Sequence, residues 1–140
     1  MMFWDTSAVV PLIVPTVRST ILAGHLATDN DLTVWRGTPV ECAAVLYRSH
    51  REESIGRAAL DAALVRLQAF TEDADTITPS EFVRRRASDF LAVYSLQPAE
   101  AFQLAAALAW CEGHPRGECF LSLDDRLSAA ARREGFTVLP

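Results

Sequence analysis

The sequence predicts an α/β fold built on a parallel sheet with helices on both faces. Three observations predict it. Short apolar runs, each too short for a helix, recur along the chain; two of them end at a carboxylate, Asp5 and Asp124; and helical stretches separate each run from the next. Strands joined through helices pair in parallel, and a parallel sheet is covered on both sides.

Met2-Phe3-Trp4 reads as the first strand, with Asp5, Thr6 and Ser7 following before apolar character resumes. Asp5 has two readings there. Its carboxylate can cap the helix that follows, or it can serve a ligand, because open α/β sheets bind ligands beyond the carboxyl ends of their strands. Ser7 to Val14 reads as a short helix interrupted by Pro11 near its first turn and stopped by Pro15. Val17, Ile21, Leu22 and Leu26 recur at close to a helical period up to the turn cluster Thr28-Asp29-Asn30-Asp31, and Leu32 to Trp35 is the second strand.

Thr38-Pro39-Val40-Glu41 reads as a capping box, with Thr38 as N-cap and Glu41 three residues on. Its helix runs polar by Arg48-Ser49-His50-Arg51, and Gly56 separates it from a helix with Leu60, Leu64, Val65, Leu67 and Phe70 on one stripe. Further helices begin at Pro79-Ser80-Glu81 and at Gln97-Pro98-Ala99-Glu100, and the nearly continuous apolar stretch Ala101 to Trp110 makes the second of these a central buried helix. Cys119 to Leu123 is the third strand. Leu127 to Arg133 is a short helix closed by Gly135, and Phe136 to Leu139 is the last strand. The reading thus places four strands in one domain spanning residues 1–140.

Composition excludes several function classes. The chain has 140 residues, half of them hydrophobic, and a net charge of −5, so it lacks the electrostatic footprint of a strongly basic nucleic-acid binder and any such contact must be local. All 13 basic residues are arginine, the side chain suited to bidentate phosphate contacts. Cys42, Cys111 and Cys119 are odd in number and widely spaced, which argues against a disulfide framework or a zinc site and for a reduced, cytoplasmic protein. No signal-like segment precedes the first strand and no apolar run reaches spanning length, so no membrane role is expected. His25, His50 and His114 lack ligand spacing and read as surface residues, and Arg84-Arg85-Arg86 reads as a solvated helix face or, alternatively, as an RNA or partner contact.

Strand ends and helix starts share one edge of a parallel α/β sheet, so Asp5, Asp124, Glu41 and Glu100 are expected to converge there. Each also has an innocent use at a helix start. Unit charges about 4 Å apart repel by about 4 kcal/mol at an effective dielectric near 20, so such a cluster needs protons or cations. Hard oxygen ligands favour Mg²⁺ or Mn²⁺.

Taken together, Phe3-Trp4-Asp5-Thr6-Ser7-Ala8, Glu41, Ala99-Glu100-Ala101-Phe102-Gln103-Leu104-Ala105 and Leu121-Ser122-Leu123-Asp124-Asp125-Arg126 resemble the PIN-domain family, in particular the VapC toxin ribonucleases of toxin-antitoxin pairs. The resemblance runs over essentially the whole chain. It implies a three-layer α/β/α PIN-like domain, Mg²⁺ or Mn²⁺, RNA cleavage, a homodimer and a cognate antitoxin. By position, Asp5, Glu41, Glu100 and Asp124 match the acidic quartet, and Ser7 and Ser122 match the hydroxyls that support it. The family's usual residue at the start of the central helix is Asp, and Glu100 stands there instead. The expected roles are Asp5, Glu100 and Asp124 on the metal, Glu41 on the attacking water, and Arg48, Arg51 and Arg126 on RNA phosphates. The alternative is a catalytically impaired PIN-like module that binds RNA or a partner, with Glu100 as its first departure. An aspartyl phosphatase fits less well, because Ser7 stands where that chemistry wants a second Asp.

Overall fold

Five short strands form one parallel sheet in the computed structural model, which describes residues 1–140. They are β1 (Met2–Trp4), β2 (Leu32–Trp35), β3 (Asp75–Ile77), β4 (Cys119–Leu121) and β5 (Thr137–Leu139), in the order β3-β2-β1-β4-β5. The helices are α1 (Thr6–Ile13), α2 (Ser19–Thr28), α3 (Thr38–Arg51), α4 (Arg57–Asp73), α5 (Glu81–Val93), α6 (Pro98–Trp110) and α7 (Asp125–Glu134).

Side chains alternate across a strand, so neighbouring residues of β1 and β4 feed two different cores. Phe3 and Phe120 point to one face, where they stack with ring centroids 5.6 Å apart and pack against α5, α6 and α7. Trp4 and Leu121 point to the other, against buried residues of α1 to α4. The result is the three-layer α/β/α architecture with a central parallel sheet that the sequence led us to expect. Ala101, Ala105, Ala106 and Ala107 give α6 a buried surface of small side chains, which lets it lie close to its neighbours.

The structure adds one strand and moves one cap. β3 carries a single large apolar residue in Asp75-Thr76-Ile77 and pairs only with β2 at the sheet edge, so it shows no run that periodicity would reveal. The capping box expected at Thr38 does not form. Gly37 is the N-cap, Thr38 already lies inside α3 with its side chain buried, and no side chain caps this helix. Pro11 lies in the interior of α1, beyond its first turn, and the helix runs through it. Gly135 closes α7 at φ +112°, as the sequence indicated, in the left-handed region that glycine tolerates. No helix is long and apolar enough to cross a membrane.

Candidate active site

The strand order sets the place of the site. β1 and β4 are adjacent, but the chain leaves β1 toward β2 on one side and leaves β4 toward β5 on the other. Such a reversal opens a crevice at the carboxyl ends of the two strands. Asp5 follows β1 directly and Asp124 lies just beyond β4.

Backbone and hydroxyl donors fix this pair. The Asp5 N–H donates to the Leu121 carbonyl at 3.0 Å, extending the β1–β4 ladder by one residue. The Asp5 carboxylate is 4% exposed, and its Oδ2 accepts from the Ser7 N–H (3.2 Å), the Ser7 hydroxyl (2.5 Å) and the Ser122 hydroxyl (3.1 Å). Each hydroxyl also ties down the loop after β4: Ser7 Oγ accepts from the Leu123 N–H at 2.8 Å and Ser122 Oγ from the Asp124 N–H at 3.1 Å. Asp124 Oδ1 in turn accepts from the Leu127 N–H at 2.8 Å, capping α7. Both aspartates therefore cap a helix, and both still line the same cleft.

The glutamates arrive on helices. Glu41, one turn into α3, is not spent on the cap; its Oε2 accepts from Gln103 Nε2 at 3.0 Å. Glu100, in the first turn of α6, accepts from the Gln97 N–H at 3.3 Å, the helix-start use foreseen for it. Asp5, Glu41, Glu100 and Asp124 all line one cleft of about 450 Å³. Arg48 lines it as well, whereas Arg51 is exposed beyond it at the end of α3 and Arg126 lies in a separate groove beside Arg133 and Tyr94. A larger cavity of about 510 Å³ beside the stacked Trp35 and Phe102 rings contains a single acid, Glu81, already paired with Arg84 at 2.8 Å.

The charge of the cleft is uncompensated. None of the four acids forms an ion pair; the arginine pairs lie elsewhere, on Asp61, Glu81, Asp89 and Glu134. Burial raises the Asp5 pKa, the Asp124 charge adds to the rise, and the serine hydrogen bonds oppose it. Burial pushes Glu41 up to about 7, with the charges of Asp5 and Glu100 adding and the hydrogen bonds from Gln103 and Thr6 opposing.

Chemically the donor set suits a hard divalent cation, being all oxygen with no thiol or imidazole among it. As they stand, no three His, Cys, Asp or Glu side chains come close enough to hold a metal among themselves. That spacing agrees with an ion such as Mg²⁺, which takes one or two carboxylates and keeps several waters. The three histidines take no part: His25, His50 and His114 each lie within hydrogen-bonding distance of a backbone carbonyl elsewhere, at 3.1, 3.1 and 2.8 Å.

Three further residues meet at the site, Thr6, Gln103 and Thr38, of which the sequence offers only Thr38 a role, as a helix cap. Gln103 is the polar residue within the apolar stretch Ala101–Trp110, and it is fully buried. A lone amide in an apolar helix face is the signal that would have found it, since a buried amide requires partners.

No protein-family model matches the sequence, and no curated protein matches it. Solved structures do. A chain of a toxin-antitoxin complex from Klebsiella pneumoniae superposes with a TM-score of 0.69 at 13% identity, covering 100% of this chain and 97% of its own. VapC20 of Mycobacterium tuberculosis, a sarcin-ricin loop cleaving toxin, superposes with a TM-score of 0.71 at 17% identity, covering 98% of this chain and 97% of its own. At those identities the likeness establishes the shared fold over the full length.

Proposed function

We propose that this protein is a metal-dependent endoribonuclease, the toxin of a type II toxin-antitoxin pair, acting as a single PIN-like domain over residues 1–140. The observation that carries the reading is the meeting of four acids from β1, β4, α3 and α6, none of them ion-paired, in a cleft at the switch point of the sheet. The fold shared with VapC20 supports it.

Asp5, Glu100 and Asp124 would hold one or two Mg²⁺ or Mn²⁺ ions directly or through water. When bound, the metal supplies a lowered pKa for the attacking water and neutralises charge growing on the scissile phosphate. The chain does the rest. Glu41, with a pKa near 7, is suited to take a proton from a water lying in the cleft near neutral pH. The water oxygen forms a bond to phosphorus, the bond from phosphorus to the leaving ribose oxygen breaks in line, and that oxygen takes a proton from solvent. Ser7 and Ser122 hold the Asp5 carboxylate in place throughout. Arg48, the basic side chain lining the cleft, grips an RNA phosphate. A cognate antitoxin, a homodimer and a cytoplasmic setting belong to the same proposal.

The test is single-turnover cleavage of a structured RNA, beginning with a sarcin-ricin-type hairpin, by the full chain in Mn²⁺. Asp5→Asn keeps the shape and the acceptor oxygen but removes the charge, and should slow cleavage by about 10³-fold or more. Equal rates for the two proteins, or no metal-stimulated cleavage by wild type, would defeat the nuclease reading. The second reading, a non-cleaving RNA- or partner-binding module, has Glu100 in its favour, because that longer acid is engaged at the start of its own helix.

A further inference from the structure

The cleft holds one group that neither the acids nor the arginines account for. The Gln103 side chain is fully buried beneath it, with Nε2 at 2.9 Å from Thr6 Oγ1, 2.9 Å from Thr38 Oγ1 and 3.0 Å from Glu41 Oε2. Its other end is orphaned: Oε1 is buried without a hydrogen-bond partner. An amide nitrogen carries two hydrogens, so three oxygens compete for two donors while a buried acceptor goes without.

Something must select this orientation over the opposite one. The threonine hydroxyls do not, because each can donate or accept and would meet either end of the amide equally well. An ionised carboxylate only accepts. Glu41, while ionised, is therefore the partner that turns the NH₂ toward the cleft and leaves Oε1 buried without a hydrogen-bond partner. A buried carbonyl without a partner destabilises a fold, and a residue that retains one calls for a use.

We infer that Gln103 is a positioning residue: its amide fixes the Glu41 carboxylate and ties it to Thr6, the neighbour of Asp5. Three elements meet at this one side chain, α6 through Gln103, α3 through Thr38 and Glu41, and α1 through Thr6. Its consequence for catalysis rests on the proposed nuclease reading; the grip on Glu41 does not.

Gln103→Met conserves volume and removes the donor. The variant should unfold cooperatively like wild type while kcat for RNA cleavage falls about ten- to a hundredfold with KM unchanged, as expected for losing a hydrogen bond to a charged group that orients the base. A wild-type kcat in the folded variant overturns the inference. A second measurement needs neither metal nor RNA: the ¹⁵N–¹H signals of the Gln103 side-chain amide, compared between the metal-free full chain and Glu41→Gln. They should move when the carboxylate acceptor is neutralised, and unchanged signals overturn the inference even if Gln103→Met does not fold. A wild type that cuts no RNA while the amide signals respond to Glu41→Gln would defeat the nuclease reading alone.

Discussion

Asp5 and Asp124, beyond the ends of β1 and β4, are held by backbone N–H groups and two serine hydroxyls at 2.5 to 3.2 Å, whereas Glu41, on α3, is held by side chains alone, the amide of buried Gln103 and the Thr6 hydroxyl. The aspartates sit where strand register and a short loop put them. The glutamate sits where two helices happen to pack. A carboxylate capping a helix has part of its charge answered by the N–H groups it accepts from. Glu41 has no such backbone donor, and burial pushes it up to about 7. The strand-end side of the cleft is thus held by backbone and hydroxyl donors and the helix side by side-chain donors alone, while burial raises the pKa on both sides.

The largest effect that could break this comparison is on stability against pH. In the metal-free protein, Glu41 has its folded pKa raised from 4.5 to about 7, so between those values the native state holds a proton that the unfolded chain has lost. Its contribution is fully present below about pH 4.5 and is lost as pH rises to about 7, by about 1 to 2 kcal/mol once solvent screening of this partly exposed carboxylate is allowed for. Burial raises Asp5 as well, in the same direction. Urea unfolding from pH 4.5 to 8 should therefore show wild type losing stability toward neutrality and Glu41→Gln losing markedly less. Parallel pH profiles for the two proteins would mean that the helix side carries no such strain.

A smaller effect separates cap from charge on the strand-end side. Asp124→Ala removes the acceptor for the Leu127 N–H and should cost about 1 kcal/mol by urea unfolding. Asp124→Asn keeps the acceptor and should unfold close to wild type. On the proposed nuclease reading, both should lose RNA cleavage. If Asn proves as costly as Ala, it is the charge at the start of α7, not the hydrogen bond, that fixes this aspartate.

This contrast also explains what was legible in the sequence. Asp5 and Asp124 stand out because a strand that ends in an acid is a local pattern, and Ser7 and Ser122 lie within two residues of them. The sheet with helices on both faces was readable for the same reason, from short apolar runs separated by helical periods. β3 escaped because an edge strand with one large apolar residue carries no run. The cap at Thr38 was misassigned because T-x-x-E matches the local motif, while the buried amide of Gln103, 65 residues away, claims the threonine for itself. A local motif cannot reveal such a partner. Glu41 was named for its position, but what makes it chemically unusual comes from α6, and that pairing exists only once the helices are packed.

The smallest effect concerns which side of the cleft meets the substrate. Arg48 projects from α3 into the cleft, on the glutamate side, while Arg126 follows Asp124 into a neighbouring groove. If RNA crosses the glutamate side, Arg48→Ala should raise KM several-fold, leave kcat nearly unchanged and reduce the slope of log affinity against log salt by about one, as for one lost phosphate contact. A larger loss from Arg126→Ala would move the RNA path to the strand-end side. Glu41 would then sit on the far wall from the RNA, and the role proposed for it on the attacking water would have to pass to an acid on the near one.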